Sequence, residues 1–272
     1  MVVQMEKYNK IQRKTIYILI YLVLIIMLMS SIIYIIKYLL SKKEAEEERK
    51  ILSTIKIDNS EIINQITEKK TKGILKQKTE RMLQIEKLQQ ENSDIVGWLE
   101  IANTSINYPV LQGTDDKYYM THNYKKQKSK NGSIFLSKDY DWSIPSSNLL
   151  IYGHNLGNGT MFQELLKYER ESFYNQHPTI RFTTEKEDAE YEIISVFKSR
   201  VYYKTEKNVF RYYYFINAET EEEYNQFVEN VKRESLYNID ATANYGDQLI
   251  TLSTCSYYVQ DGRFAVVGRK IK

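Results

Sequence analysis

Gln248-Leu-Ile-Thr-Leu-Ser-Thr-Cys-Ser-Tyr-Tyr-Val-Gln-Asp-Gly-Arg-Phe-Ala-Val-Val-Gly-Arg-Lys-Ile271 holds two apolar, β-branched runs on either side of a polar loop. Runs of that length and composition read as strands, here Gln248–Ser253 and Arg263–Ile271. Asp261-Gly262 is a turn dipeptide feeding the second of them. If the two pair as a hairpin around the loop 256–262, Cys255 and Arg263 fall opposite or nearly opposite each other. Directly opposed Cβ atoms lie about 5 Å apart, and a bulge would shift the register.

The same texture extends upstream. Short β-rich runs between turn residues predict strands at Trp98–Ile101, Ser105–Val110, Ser133–Phe135, Leu149–Tyr152, Thr179–Thr183 and Tyr191–Tyr203. Two helix starts interrupt them. Thr160-x-x-Gln163 opens a short helix whose Phe162, Leu165 and Leu166 share a face. Thr220-x-x-Glu223 opens another, with Tyr224, Phe227, Val228 and Val231 at i, i+3, i+4 and i+7. About eight strands in this space predict a mainly β fold, a small closed barrel with helical insertions.

Composition narrows the function. Hydrophobic residues make up 42% and charged residues 27% of the chain, which excludes wholesale disorder. The formal charge of +3 sits in residues 1–15, where Lys7, Lys10, Arg13 and Lys14 face Glu6 alone. The other 257 residues carry 34 basic and 34 acidic side chains, so the folded part has no electrostatic grip on nucleic acid. A single cysteine rules out an intramolecular disulfide or a Cys-based zinc site. High tyrosine content, 24 residues, suits half-buried sheet surfaces with one wet end.

Residues 16–36 contain no charge over 21 positions, about 30 Å as a helix, enough to cross one hydrocarbon core. A cleavable signal peptide has a shorter apolar core and a small-residue cleavage site, and none follows here. Lys37, Lys42, Lys43, Arg49 and Lys50 follow the span, so basic residues alone do not orient it. Residues 37–91 read as a helical stalk. Ser41 and Glu44 fit a capping box, and Ile74, Leu75, Met82, Leu83, Ile85 and Leu88 form a partial apolar stripe that docks the second half. The expected division is a tail at 1–15, an anchor at 16–36, a stalk and docked helix at 37–91, and a β domain at 92–272.

A lone cysteine is most often a small buried hydrophobe. Cys255 differs by its setting, since a strand terminus exposes its last side chain and Arg263 lies across the hairpin. A free thiol of pKa about 8.5 is only a few per cent thiolate near neutral pH, and a nearby cation raises that fraction. Of three histidines, His154 is the best placed to exchange protons. It follows the apolar run Leu149–Tyr152 and precedes Gly157-Asn-Gly159, so it too closes a strand. His122 lies in a polar stretch and His177-Pro178 marks a strand entry. Asp247 and Asp261 read as turn or surface carboxylates.

Thr251-Leu-Ser-Thr-Cys255, Arg263 eight residues on, and Tyr152-Gly-His-Asn155 together resemble the signature of the sortases, membrane-anchored cysteine transpeptidases of Gram-positive cell envelopes. Asn92-Ser-Asp-Ile-Val-Gly-Trp98, Ile106-Asn-Tyr-Pro-Val-Leu-Gln112, Gly132-Ser-Ile-Phe135, Gly159-Thr-Met-Phe162 and the helix at 220–235 resemble the class B branch, over about residues 80–272. The resemblance implies an eight-stranded barrel with amino-terminal helices and a helix inserted before the last two strands. It implies that Cys255 attacks the carbonyl carbon of a Thr in a carboxy-terminal sorting signal, that His154 serves as acid and base, and that Arg263 holds the carbonyl or its oxyanion. It implies secreted proteins bearing that signal as donors and a peptidoglycan cross-bridge or lipid-linked precursor amine as acceptor. Tyr152, Ser253 and Met120 match groove positions. No metal or cofactor is expected.

The substrates of such an enzyme lie outside the membrane, which implies a cytoplasmic amino terminus and an extracellular catalytic domain. Ser256 departs from class B members that carry an acidic residue after the nucleophile. Papain-like enzymes place Cys on a helix start ahead of His, the reverse of the order here. A catalytically silent envelope-binding module would explain the anchor but not three reactive groups at strand ends.

Overall fold

The computed structural model describes residues 2–53, 79–144 and 146–272. Two compact units divide the chain, 1–44 and 45–272. The amino-terminal helix α1 runs over Val2–Ser53. Within it, Lys14–Glu47 is long and apolar enough to cross a membrane, a candidate span that includes residues 16–36. No helix starts at Ser41. Between residues 37 and 53 there is no Gly or Pro and nearly every residue favours a helix, so α1 continues through the expected capping box. Ile74 and Leu75 of the expected stripe lie outside the described residues, as does 54–78 of the stalk.

Eight strands among the described residues close into a barrel: β1 (Ile95–Glu100), β2 (Asn107–Leu111), β3 (Ile134–Leu136), β4 (Asn148–Tyr152), β5 (Thr179–Thr183), β6 (Asp188–Arg200), β7 (Leu249–Cys255) and β8 (Gly262–Lys270). Their order around the barrel is β1-β2-β3-β4-β7-β8-β6-β5. The β2–β3 and β4–β7 pairs are parallel and the rest antiparallel. All eight expected strands form. β1 begins three residues before Trp98, and β6 spans Asp188–Arg200 rather than Tyr191–Tyr203, because its early residues pair with β5 and its end at Arg200 pairs with Gly262. Pro109, which has no N–H to donate, falls where β2 lacks a β3 partner, since that pairing begins at Val110.

Alternation along the strands sorts the side chains into two faces. Leu149, Ile151, Ile250, Leu252, Phe264 and Val266 join the cluster that fills the barrel. Their neighbours Leu150, Leu249, Ala265 and Val267 face outward, onto a second cluster. That second cluster is covered by α4 (Glu221–Arg233), the helix expected before the last two strands. Thr220 Oγ1 accepts from the Glu223 amide at 3.2 Å, and Glu223 Oε2 accepts from the Glu219 amide at 2.9 Å. Tyr224, Phe227, Val228 and Val231 are all buried against the sheet, each contributing about 1.5–3 kcal/mol.

A third cluster lies where α2 (Glu80–Glu91) docks. Thr79 caps it, accepting from the Met82 amide, and its Ile85 and Leu88 pack with Ile95, Trp98 and Leu111. Met82 is also buried, whereas Leu83 is only partly so. The helix expected from Thr160 starts later and winds more tightly, as a 3-10 segment at Gln163–Glu169. Thr160 does not cap it, because its hydroxyl donates to Asn158 Oδ1 at 2.6 Å, while Gln163 Oε1 takes the Gly159 amide. A short helix α3 (Glu171–Gln176) follows and leads to β5.

Phe227 bridges α4 and the outer face of the sheet, stacked on Phe215 with centroids 3.9 Å apart. Phe227→Ala is expected to lower unfolding stability by about 3–5 kcal/mol, read from urea unfolding of the full chain in detergent micelles.

Candidate active site

Strand register assembles the site. β4 and β7 run parallel with Tyr152 opposite Ser253, so both strands end at the same rim of the barrel. β7 and β8 pair antiparallel with Cys255 directly opposite Arg263, as the hairpin reading expects and with no bulge between them. Ser253 and Cys255 lie on the outward side of β7, as Ala265 and Arg263 do on β8 and Leu150 and Tyr152 on β4. The site therefore sits on the outer surface at one end of the barrel, not in its filled interior.

A cleft of ≈ 220 Å³ lies there, lined by Asp116, Met120, Phe135, Tyr152, Gly153, His154, Ser253, Thr254, Cys255 and Arg263. The six residues singled out from the sequence, His154, Cys255, Arg263, Tyr152, Ser253 and Met120, thus share one cleft. Cys255 is a free thiol, half-buried. Phe135 and Tyr152 form an aromatic pair, centroids 5.4 Å apart. Their strands place them in one row with Ser253.

The loop after β4 is laced to the end of β7. Gly153 donates its amide to the Ser253 carbonyl at 3.2 Å, and Thr254 Oγ1 donates to the Gly153 carbonyl at 2.7 Å. Asn155 Nδ2 donates to the Cys255 carbonyl at 3.0 Å, and the Tyr257 hydroxyl donates to the Asn155 carbonyl at 3.1 Å. These bonds hold the backbone beside His154 against the backbone at Cys255. The imidazole itself is fixed from a third side, where Nε2 lies 2.7 Å from the Met120 carbonyl oxygen. That oxygen can only accept, so Nε2 carries the hydrogen and Nδ1 is the nitrogen left for proton exchange.

Arg263 Nη1 donates to the carbonyls of Gly262 at 3.0 Å and Asp261 at 3.4 Å. No carboxylate among the described residues forms an ion pair with it. Its charge therefore stays available to a negative charge developing in the cleft. The Asp261-Gly262 turn that aims it is tight. Asp261 takes the left-handed region at φ 54°, and a Cβ on Gly262 would stand 2.1 Å from the Ser256 carbonyl oxygen.

Tyr212 and Asn155 are not among the site residues singled out from the sequence. Tyr212, fully buried in the connection between β6 and α4, places its hydroxyl 2.7 Å from Ser253 Oγ. Burial pushes the Tyr212 and Tyr152 phenols well up, with Arg263 acting against it in both, so each stays a neutral hydroxyl. Asn155 could have been found from its place in the Tyr152–Asn155 motif, but nothing local marks Tyr212. It is one of four consecutive aromatics, Tyr212–Phe215, and only packing singles it out.

The other histidines lie elsewhere. His122 stacks on Tyr118 with centroids 4.0 Å apart, and His177 Nδ1 lies 2.9 Å from the Ala102 carbonyl. Asp247 Oδ2 accepts from the Asn244 amide at 2.9 Å, a turn role. Ser256 is buried and its amide donates to the Gly262 carbonyl at 2.9 Å, closing the hairpin. Among the described residues no group of three His, Cys, Asp or Glu is arranged to hold a metal ion.

A model of the sortase domain family matches residues 99–271. Sortase B of Staphylococcus aureus (strain NCTC 8325 / PS 47) is 34% identical over 191 residues, covering 70% of this chain and 75% of that protein. Sortase B of Listeria monocytogenes serovar 1/2a is 36% identical over 190 residues, covering 68% and 72%. The solved Staphylococcus aureus sortase B-substrate complex aligns with a TM-score of 0.65 at 28% identity, over 85% of this chain and 99% of that one.

Gly153 has no room for a side chain. An added Cβ would stand 2.4 Å from Ile134 Cδ1 and 2.7 Å from the Phe162 ring. Gly153→Ala is expected to cost about 1–3 kcal/mol of stability through overpacking, measured by urea unfolding against the parent.

Proposed function

This chain belongs to the sortase family and is a cysteine transpeptidase of the sortase B type, and on that premise we propose that Cys255, His154 and Arg263 carry its chemistry on a carboxy-terminal sorting signal. Cys255 passes its thiol proton to His154 Nδ1 as Sγ attacks the carbonyl carbon of a Thr in the signal, and the carbonyl oxygen takes up negative charge. Arg263 donates to that oxyanion, a task suited to a fork that is always charged. The tetrahedral intermediate collapses as His154 Nδ1 gives a proton to the departing amine. The C–N bond breaks and a thioester to Cys255 remains.

An incoming amine then reverses the sequence. Its nitrogen attacks the thioester carbon, His154 Nδ1 takes the proton it sheds, and the thiolate leaves and recovers that proton from Nδ1. The product is a new amide, with the donor protein joined to an amino group of peptidoglycan or its lipid-linked precursor. The in-register Cys255–Arg263 pair, with His154 lining the same cleft, is the observation that supports this assignment. Tyr152, Ser253 and Met120 line the cleft as the substrate-facing wall.

We place the amino terminus, residues 1–15, inside the cell, where its basic side chains meet anionic headgroups. Residues 16–36 then anchor the chain in the membrane, residues 37–91 link that anchor to the catalytic domain, and 92–272 work outside, where donor protein and acceptor amine both occur. Added protease should degrade the catalytic domain on intact cells after wall removal, and protection of that domain would reverse the topology.

Full-length chain in detergent micelles, incubated with a library of sorting-signal peptides, should cleave a subset and yield a mass-detected adduct on Cys255. Cys255→Ala should lose both cleavage and adduct, and parent-like cleavage by that variant would remove Cys255 as nucleophile. Arg263→Ala should retain the fold and lose about 10²–10³ in kcat. If no sorting peptide is cleaved, a non-catalytic envelope-binding module becomes the better reading.

A further inference from the structure

We propose that Met120 is a positioning residue whose backbone carbonyl fixes the tautomer of His154, and that Gly132 and Tyr119 hold that carbonyl in place, an inference that rests on reading His154 as the acid and base. Serine-type triads use a carboxylate to orient the histidine and select its tautomer. Here the partner of Nε2 is the Met120 carbonyl, 2.7 Å away, and no carboxylate among the described residues pairs with this ring. With hydrogen held on Nε2, the lone pair of the neutral ring lies on Nδ1. When the ring becomes imidazolium, the Nε2–H bond persists and the added proton sits on Nδ1. Every transfer then uses one nitrogen, and the ring never has to turn over.

The Met120 peptide is built to stay where it is. Tyr118–Met120 form a single 3-10 turn, with the Met120 amide donating to Lys117 at 3.1 Å. Asp115 Oδ1 accepts from the amides of Lys117 and Tyr118 at 2.7 and 2.8 Å, which caps the turn. Tyr119 is wholly buried. Its hydroxyl donates to Asp94 Oδ2 at 2.6 Å and accepts from Asn92 Nδ2 at 3.1 Å, which ties the turn to the end of α2 and the start of β1.

Gly132 backs directly onto the carbonyl. It takes a left-handed φ of 60°, and an added Cβ would stand 2.7 Å from the Met120 carbonyl oxygen and 2.7 Å from that of Tyr119. The next residue, Ser133, donates its amide to the Tyr119 carbonyl at 2.8 Å. A side chain at 132 must therefore displace the group that holds His154. Gly246 provides the matched contrast: it is also left-handed, at φ 96°, but nothing lies within 4 Å of its added Cβ.

The chain has three histidines, so ¹⁵N-histidine NMR of the full chain in micelles resolves His154 once His122→Gln and His177→Gln assign the other two. At a pH where the ring is neutral, the parent should show His154 as the Nε2–H tautomer. Gly132→Ala should show a mixture of tautomers. With a peptide the parent cleaves, its kcat should fall at least about tenfold, part of the roughly 10²–10⁴ that general acid–base catalysis is worth, while KM stays within about twofold. Gly246→Ala should keep the parent tautomer and kcat. Should Gly132→Ala fail to fold, Tyr119→Phe, which removes only the anchoring hydroxyl, is expected to shift the tautomer in the same direction.

Parent-like tautomer and kcat in the folded variant would overturn the proposal, as would an equal loss in Gly246→Ala. A parent-like kcat in His154→Ala would overturn the assignment of His154 itself, a result the tautomer spectra cannot produce.

Discussion

The parallel pairing of β4 with β7 is the constraint on which the rest of this protein depends. Parallel strands finish at the same edge, so the residues that follow them emerge side by side although 101 positions separate His154 from Cys255. With Tyr152 opposite Ser253, two more steps along each chain bring out the histidine and the cysteine at one rim. β8 then enters antiparallel from that same rim, and its second residue is Arg263. A thiol, an imidazole and a guanidinium meet because three strand ends coincide. A parallel pair cannot be closed by a tight turn, and the intervening chain is long enough to hold two further strands and two helices.

Barrel closure decides which side of those strands can work. The interior is filled by Leu149, Ile151, Ile250, Leu252, Phe264 and Val266, so chemistry has no room inside. The outward residues of the same strands need a cover, and α4 supplies it over most of their length with Tyr224, Phe227, Val228 and Val231. Beyond that cover the outward face opens as the cleft. Tyr212 marks the border, buried among aromatics on one side and bonded to Ser253 on the other. Packing on the outer surface and shape of the site are therefore one problem, solved by the segment between β6 and β7.

Much of this was legible along the chain. Each of the eight strands announced itself through β-branched runs between turn residues, because that signal is local. The face of α4 was readable for the same reason, from a 3.6-residue period and a capping threonine. The sequence placed Cys255 and Arg263 opposite or nearly opposite across the loop 256–262, and the structure pairs them directly because no bulge intervenes. Local patterns misled where two compatible local choices competed. Ser41 and Glu44 fit a cap, yet unbroken helix-formers carried α1 through them. Thr160 had a nearer partner in Asn158, which moved the following turn onward.

By itself, the sequence determined a long apolar amino-terminal helix, a mainly β domain, a nucleophile candidate at a strand end and an arginine opposite or nearly opposite it across a hairpin. These are properties of residue type and short-range spacing, which survive without knowledge of the rest of the chain. Only the tertiary structure decided the Tyr152–Ser253 register, the buried Tyr212 hydroxyl on Ser253, the Asn155 bond to Cys255 and the Met120 carbonyl on His154. Each of those joins residues tens of positions apart, or involves a backbone atom that every residue possesses. No residue type signals such a contact, so the closed barrel has to form before it exists.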